Sequence, residues 1–183
     1  MRLFLALLLL ILTAFPAAAL EVAGVTLEPA VTVNGHTLKL NGSGIRKKFF
    51  FNIYIGSLYS TKRLTNAAEA LADRGDKVIR MNFLHSKVDK AKIIEAFSEG
   101  FAHNSPELTG SGEVKRFLSF FKADFNRGDV VDLVLGGDGT VLVRHNGTVL
   151  GTLVSDRLAH AILAIYLGKR PADEALKQGM LGG

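Results

Sequence analysis

The order of strands, helices, strands and a closing helix predicts an α+β fold, a mainly antiparallel sheet covered by helices on one side. Three observations carry that reading. Asn34-Gly35 and Asn146-Gly147 sit between β-rich runs as two-residue hairpin signals. Apolar residues at helical spacing gather between residues 89 and 121 and again near the C-terminal end. No repeat or linker breaks the chain, and 183 residues with 48% hydrophobic content suffice for one core.

Met1–Ala19 comes first and reads as a secretory signal. Arg2 precedes an apolar run from Leu3 to Phe15, and Ala17-Ala18-Ala19 forms a small-residue cleavage pattern. A helix of that run spans roughly 20 Å, short of a hydrocarbon core of about 30 Å. Cleavage after Ala19 leaves residues 20–183 as one exported domain, and a periplasmic location is expected. Cysteine is absent, which removes disulfides, thiolate metal sites and cysteine nucleophiles together.

Along the remaining chain, Val31-Thr32-Val33 and His36-Thr37-Leu38 flank the first Asn-Gly turn, and Asn41-Gly42 reads as a second break. Between Lys47 and Tyr59 the alternation puts Phe49, Phe51, Ile53, Ile55 and Tyr59 on one face. Arg46, Lys48, Phe50, Asn52 and Tyr54 fall on the other. That second face, mixing charge, amide, phenol and ring, is the candidate ligand face. If the strand is straight, Arg46 and Tyr54 stand roughly 26 Å apart, so a shared site requires a bend near Lys47–Phe50. Plain periodicity favours the straight strand; the bend is the expectation adopted, on the strength of the family resemblance given below.

Asn66-Ala67-Ala68-Glu69 resembles a capping box that opens a short helix ending near Gly75. Val78–Leu84 reads as a strand. Ile93, Ile94, Phe97 and Phe101 give a helix over 89–103, and Val114, Phe117, Leu118 and Phe121 give another. Strands Val130–Leu135, Thr140–Arg144 and Thr148–Val154 follow as a meander. Asp156 caps a helix ended by Gly168, and a last helix starts at Pro171.

Several signals are better read as structure. Gly136-Gly137-Asp138-Gly139-Thr140 spells a phosphate-loop motif, but strand sequence follows where a helix N-terminus is needed, so a hairpin turn is expected. The five histidines show no ligand spacing, so no metal and no cofactor are expected. No Gly-x-Ser-x-Gly elbow supports a hydrolase. The formal charge of +5 is scattered, and its one cluster, Arg46-Lys47-Lys48, runs into three phenylalanines. That pattern fits a carboxylate ligand or anionic membrane lipid rather than nucleic acid.

Leu40 through Tyr59, with Arg46 inside it, resembles the glycine-arginine strand and the next strand of chalcone isomerase-like proteins. Asn146-Gly147, Leu150-Gly151, Leu158-Ala159, Tyr166-Leu167-Gly168, Pro171 and Leu181-Gly182-Gly183 are similar to the end of the exported bacterial branch. The resemblance implies an open-faced β-sandwich of chalcone isomerase type: a large antiparallel sheet backed by helices. In the plant isomerases an arginine, a threonine and tyrosines order the substrate; Arg46 matches the arginine, and Tyr54 falls at the threonine. Lys87–Lys92 holds no counterpart of the plant helix tyrosine. The family's fatty-acid-binding members use an arginine and a tyrosine to hold a carboxylate. By that likeness Arg46 and Tyr54 would bind the head of a small amphipathic anion such as a fatty acid. Phe50, Phe97, Phe117 and Phe121 would serve as walls, and Asn52 would share the site. The alternatives are an isomerase acting on a conjugated carbonyl compound and a partner-binding protein without an open cleft. The oligomeric state is not legible in the sequence.

Overall fold

A computed structural model describes residues 20–183, and every strand, helix and core residue described below lies within them. The expected leader, Met1–Ala19, lies outside the described residues. The chain opens with a small ribbon, β1 (Leu20–Val22) and β2 (Val25–Leu27). Then come β3 (Ala30–Val33), β4 (His36–Lys48) and β5 (Phe51–Ser60). Helix α1 (Ala67–Ala72) leads to β6 (Lys77–Phe83) and the short β7 (Lys87–Val88). The helical layer follows as α2 (Lys90–Asn104) and α3 (Gly112–Leu118). Next are β8 (Phe125–Asn126), β9 (Val130–Leu135), β10 (Thr140–His145), β11 (Thr148–Val154), α4 (Asp156–Leu167) and α5 (Glu174–Met180).

Seven strands form one antiparallel sheet in the order β11-β10-β9-β6-β5-β4-β3. The predicted architecture is therefore present. One face carries Tyr54, Leu58, Ile79, Met81, Phe83, Val131 and Val143 into the main core under the helices. The opposite face keeps a smaller cluster of Val33, Leu38, Tyr59, Val78 and Val134. There, Arg80 and its cross-strand partner Asp132 form a two-point ion pair, Nε–Oδ1 2.7 Å and Nη2–Oδ2 3.0 Å. Burial, partly offset by the Arg80 charge, pushes the Tyr59 phenol up to about 12.

Both Asn-Gly hairpin turns appear as read, with Asn34 and Asn146 at positive φ. The Gly136–Gly139 segment is a hairpin turn joining β9 to β10, and the Gly137 amide already donates to Asp76 Oδ1 at 2.8 Å. Other expectations need correction. Asn41-Gly42 is not a turn: β4 runs through it, and Asn41 is the extra residue of a bulge, since Leu40 pairs Tyr59 and Gly42 pairs Leu58. Asn41 is buried; its Nδ2 donates to the Leu64 and Met180 carbonyls at 2.8 Å each, and its Oδ1 accepts from Leu64 N at 2.7 Å. Asn41→Ala leaves these backbone groups unpartnered and is expected to cost about 2–3 kcal/mol in a denaturant titration.

The cap of α4 is Ser155, not Asp156, and α5 starts at Glu174 under an Asp173 cap rather than at Pro171. Helix α3 stops at Leu118, although Phe121 beyond it is still buried. The Lys47–Tyr59 run is two strands joined by a Phe49-Phe50 turn, with Phe49 at φ 54°. The bend is therefore real. It takes Phe49 (85% exposed) and Phe51 (57% exposed) off the core face assigned to them.

Helix α5 lies directly on β4 because Gly44 and Gly179 let backbone meet backbone at the crossing. A Cβ on Gly44 would stand 2.9 Å from Leu176 Cα, and one on Gly179 would stand 2.9 Å from Gly44 Cα. That close approach sets the position of Asp173, the residue just ahead of α5.

Candidate anion site

The β4–β5 register places Arg46 directly opposite Tyr54, and cross-strand partners of an antiparallel pair project to the same face. That face is the helix-covered one, since Tyr54 is a member of the main core. The Tyr54 phenol lies within the influence of the Arg46 charge and of the neighbouring Tyr166 hydroxyl. Tyr166, buried on α4, donates in turn to Met81 Sδ at 3.4 Å. A line of polar groups thus runs from the solvent edge at Arg46 into the core.

Asp173 closes the outer side. Its Oδ2 accepts from Arg46 Nη1 at 3.5 Å and from the Lys47 amide at 3.2 Å, while its Oδ1 caps α5 through Leu176 N at 3.0 Å. Arg46 Nη1 also donates to the Lys47 carbonyl at 3.0 Å. The Arg46 side chain is 22% exposed, so its cation is partly shielded from water.

Burial raises the Tyr54 phenol, with the Arg46 charge acting in the opposite direction; burial pushes Tyr166 well above the ordinary tyrosine value, and neighbouring Tyr54 adds to it. Both phenols are therefore neutral at physiological pH, as hydrogen-bond donors to an anion must be. Neither is set up as a base.

The other two expected site residues stand apart from this pair. Phe50 is 99% exposed at the hairpin tip and walls nothing. Asn52 is also exposed: a bulge at Ile53 makes Asn52 pair with Lys47 instead of continuing the Tyr54 parity, and so turns it to the other face. Phe97, Phe117 and Phe121 are buried, packed ring against ring. From Tyr54 an aromatic layer continues through Phe83 (5.6 Å between centroids) to Phe125 (4.9 Å) and on to Phe121 (6.2 Å).

Cavities of about 460, 260 and 600 Å³ open elsewhere, beside Arg74 and His160, beside Arg80 and Arg144, and beside His36 and Asp76. None of the three is lined by Arg46 or Tyr54. Among the described residues no cluster of three His, Asp or Glu side chains is placed to hold a metal ion.

The pattern around Arg46 did not single out Tyr166 or Asp173, which come from the distant C-terminal segment. The cap position ahead of α5 is the one local signal that could have marked Asp173.

A family model described as chalcone isomerase-like matches residues 19–182. Among solved structures, the chain is similar to a fatty-acid binding protein of Arabidopsis thaliana, with a TM-score of 0.67 and 19% identity. The match covers 86% of this chain and 92% of that one. No curated protein matches the sequence.

Proposed function

Because the chain belongs to the chalcone isomerase-like family, we propose that it is a non-catalytic binding module for a small amphipathic anion of the fatty-acid type. The observation that carries this reading is the Arg46–Tyr54 cross-strand pair: a partly shielded guanidinium beside a neutral buried phenol. Together they offer a carboxylate two kinds of donor from one face. The Arabidopsis protein's fold likeness is consistent with it. The layer of Phe83, Phe125, Phe121 and Phe97 is the apolar surface for a tail. Those rings touch one another, so they must part to admit it. Burial holds Tyr54 and Tyr166 protonated, so neither phenol serves the isomerase reading as a base.

Calorimetric titration with a long-chain fatty acid and with its methyl ester tests the proposal. The acid is expected to bind tighter, and Arg46→Ala is expected to weaken it about 10- to 100-fold, the worth of a charge-assisted hydrogen bond. Equal affinity for acid and ester would sink the reading.

Asp173 occupies the position such a ligand would take. Asp173→Asn keeps an α5 cap, since asparagine caps as well as aspartate, but removes the competing charge. It is expected to tighten fatty-acid binding about 3- to 10-fold in the same titration, the scale of a partly exposed ion pair.

Export through Met1–Ala19 to the periplasm belongs to the proposal as well. Cell fractionation is expected to give a chain starting at Leu20; a cytoplasmic chain with Met1–Ala19 intact would refute that part.

A further inference from the structure

We propose that the tip of the β4–β5 hairpin, Lys47–Phe51, is a membrane-docking element that sets its phenylalanine rings into the interface of an anionic bilayer. Three consecutive large rings stand outside the fold: Phe49 is 85% exposed, Phe50 99% and Phe51 57%. The other exposed large hydrophobics among the described residues, Leu20, Val149 and Val154, are single aliphatic side chains. Isolated exposed apolar residues are ordinary, whereas three adjacent aromatics on a projecting tip are not.

The tip is also built at a cost. Phe49 holds φ at 54°, a left-handed conformation that a bulky residue rarely adopts. Phe51 packs edge-on to His85 with centroids 5.2 Å apart, but Phe50 is almost wholly in water, so internal packing does not account for it.

Charge identifies the occupant. Exposed Lys47 and Lys48 stand immediately behind the rings. From residue 29 to residue 68 the chain has Lys39, Arg46, Lys47, Lys48, Lys62 and Arg63 and not one Asp or Glu. The nearest acids come from other elements. Asp173 receives the Lys47 amide and Arg46, and Glu95 feels the Lys48 charge while its hydrogen bond goes to Lys92. Rings that enter the acyl boundary with lysines level with the phosphates match an anionic lipid surface in both chemistry and depth. Three side chains on a narrow hairpin are too little for a stable protein interface, which needs roughly 800 Å² per partner. Docking stands independently of anion binding by Arg46, although it would bring that residue close to the lipid headgroups.

The chain contains no tryptophan, so Phe50→Trp supplies a single fluorophore at the tip. The chain from Leu20 onward, which holds the entire described fold, is mixed with vesicles of equal phosphatidylglycerol and phosphatidylcholine, and separately with phosphatidylcholine alone. The mixed vesicles are expected to blue-shift the emission, and lipids brominated on their acyl chains to quench it. Phosphatidylcholine alone should give a much weaker response. In vesicle sedimentation, Phe49→Ser with Phe50→Ser, and Lys47→Gln with Lys48→Gln, are each expected to lower the bound fraction about 10-fold with unchanged far-ultraviolet circular dichroism. Unshifted emission on vesicles would overturn the proposal. So would both double variants binding like the parent, or a blue shift that grows with protein concentration without lipid, which would assign the tip to a second copy of the chain.

Discussion

Gly42→Val is expected to cost at least about 4 kcal/mol of folding stability, among the largest effects of any single substitution in the sheet. A Cβ at residue 42 would overlap the Gly179 carbonyl oxygen and lie 2.8 Å from the Met180 carbonyl oxygen and 2.9 Å from Gly182 N. All three are backbone atoms, so no rotamer change relieves the clash, and α5 must lift from β4. Lifting α5 also withdraws Asp173 from Arg46, so the change reaches the anion site. Gly112→Ala is the matched control. It sits in α3 with nothing within 4 Å of the added Cβ, and alanine is the better helix former. Chemical denaturation of the two variants separates a backbone contact at residue 42 from a general intolerance of glycine replacement.

Phe117→Ala is the second large effect, about 3–5 kcal/mol by the same measurement. Phe117 is fully buried, and its ring meets Phe97 at 5.1 Å, Phe121 at 5.3 Å, Phe101 at 5.9 Å and Phe120 at 6.4 Å. The loss comes from the apolar area removed plus the cavity left among rings that hold one another in place. Phe117→Leu retains most of the volume and is expected to lose less than half as much. Equal losses for the two would show that aromatic edge contacts rather than volume stabilise this layer.

The turns carrying Asn-Gly were legible because those residues adopt positive φ at little cost. The Phe49-Phe50 turn was not legible in composition. It has no glycine, proline or asparagine; plain periodicity favoured a straight strand, and the family resemblance was what favoured a bend there. Local reading then failed on both strands of the same hairpin. The Ile53 bulge removes Asn52 from the Tyr54 face, and the Asn41 bulge passes for a turn because Asn-Gly is so often one. A bulge is decided by what the strand packs against, here the α5 backbone and the loop at Leu64, and neither is visible locally. The same limit hid Tyr166 and Asp173. Each is unremarkable in its own helix and becomes part of the site only when the sheet brings β4 and β5 beneath the last two helices.

A fatty acid labelled with carbon-13 at its carboxyl group tests the Arg46–Tyr54 assignment most directly. The bound carboxyl resonance, followed by nuclear magnetic resonance as pH is lowered, reports whether the head group lies beside a cation. A carboxylate held by Arg46 and a neutral Tyr54 has its charged form stabilised, so its pKa falls. The signal is expected to stay ionised below about pH 4, the ordinary carboxylate midpoint, and to return towards normal titration in Arg46→Lys, which keeps the charge but loses the fork. A bound carboxyl that titrates normally, or one whose titration is identical in Arg46→Ala, would contradict the account.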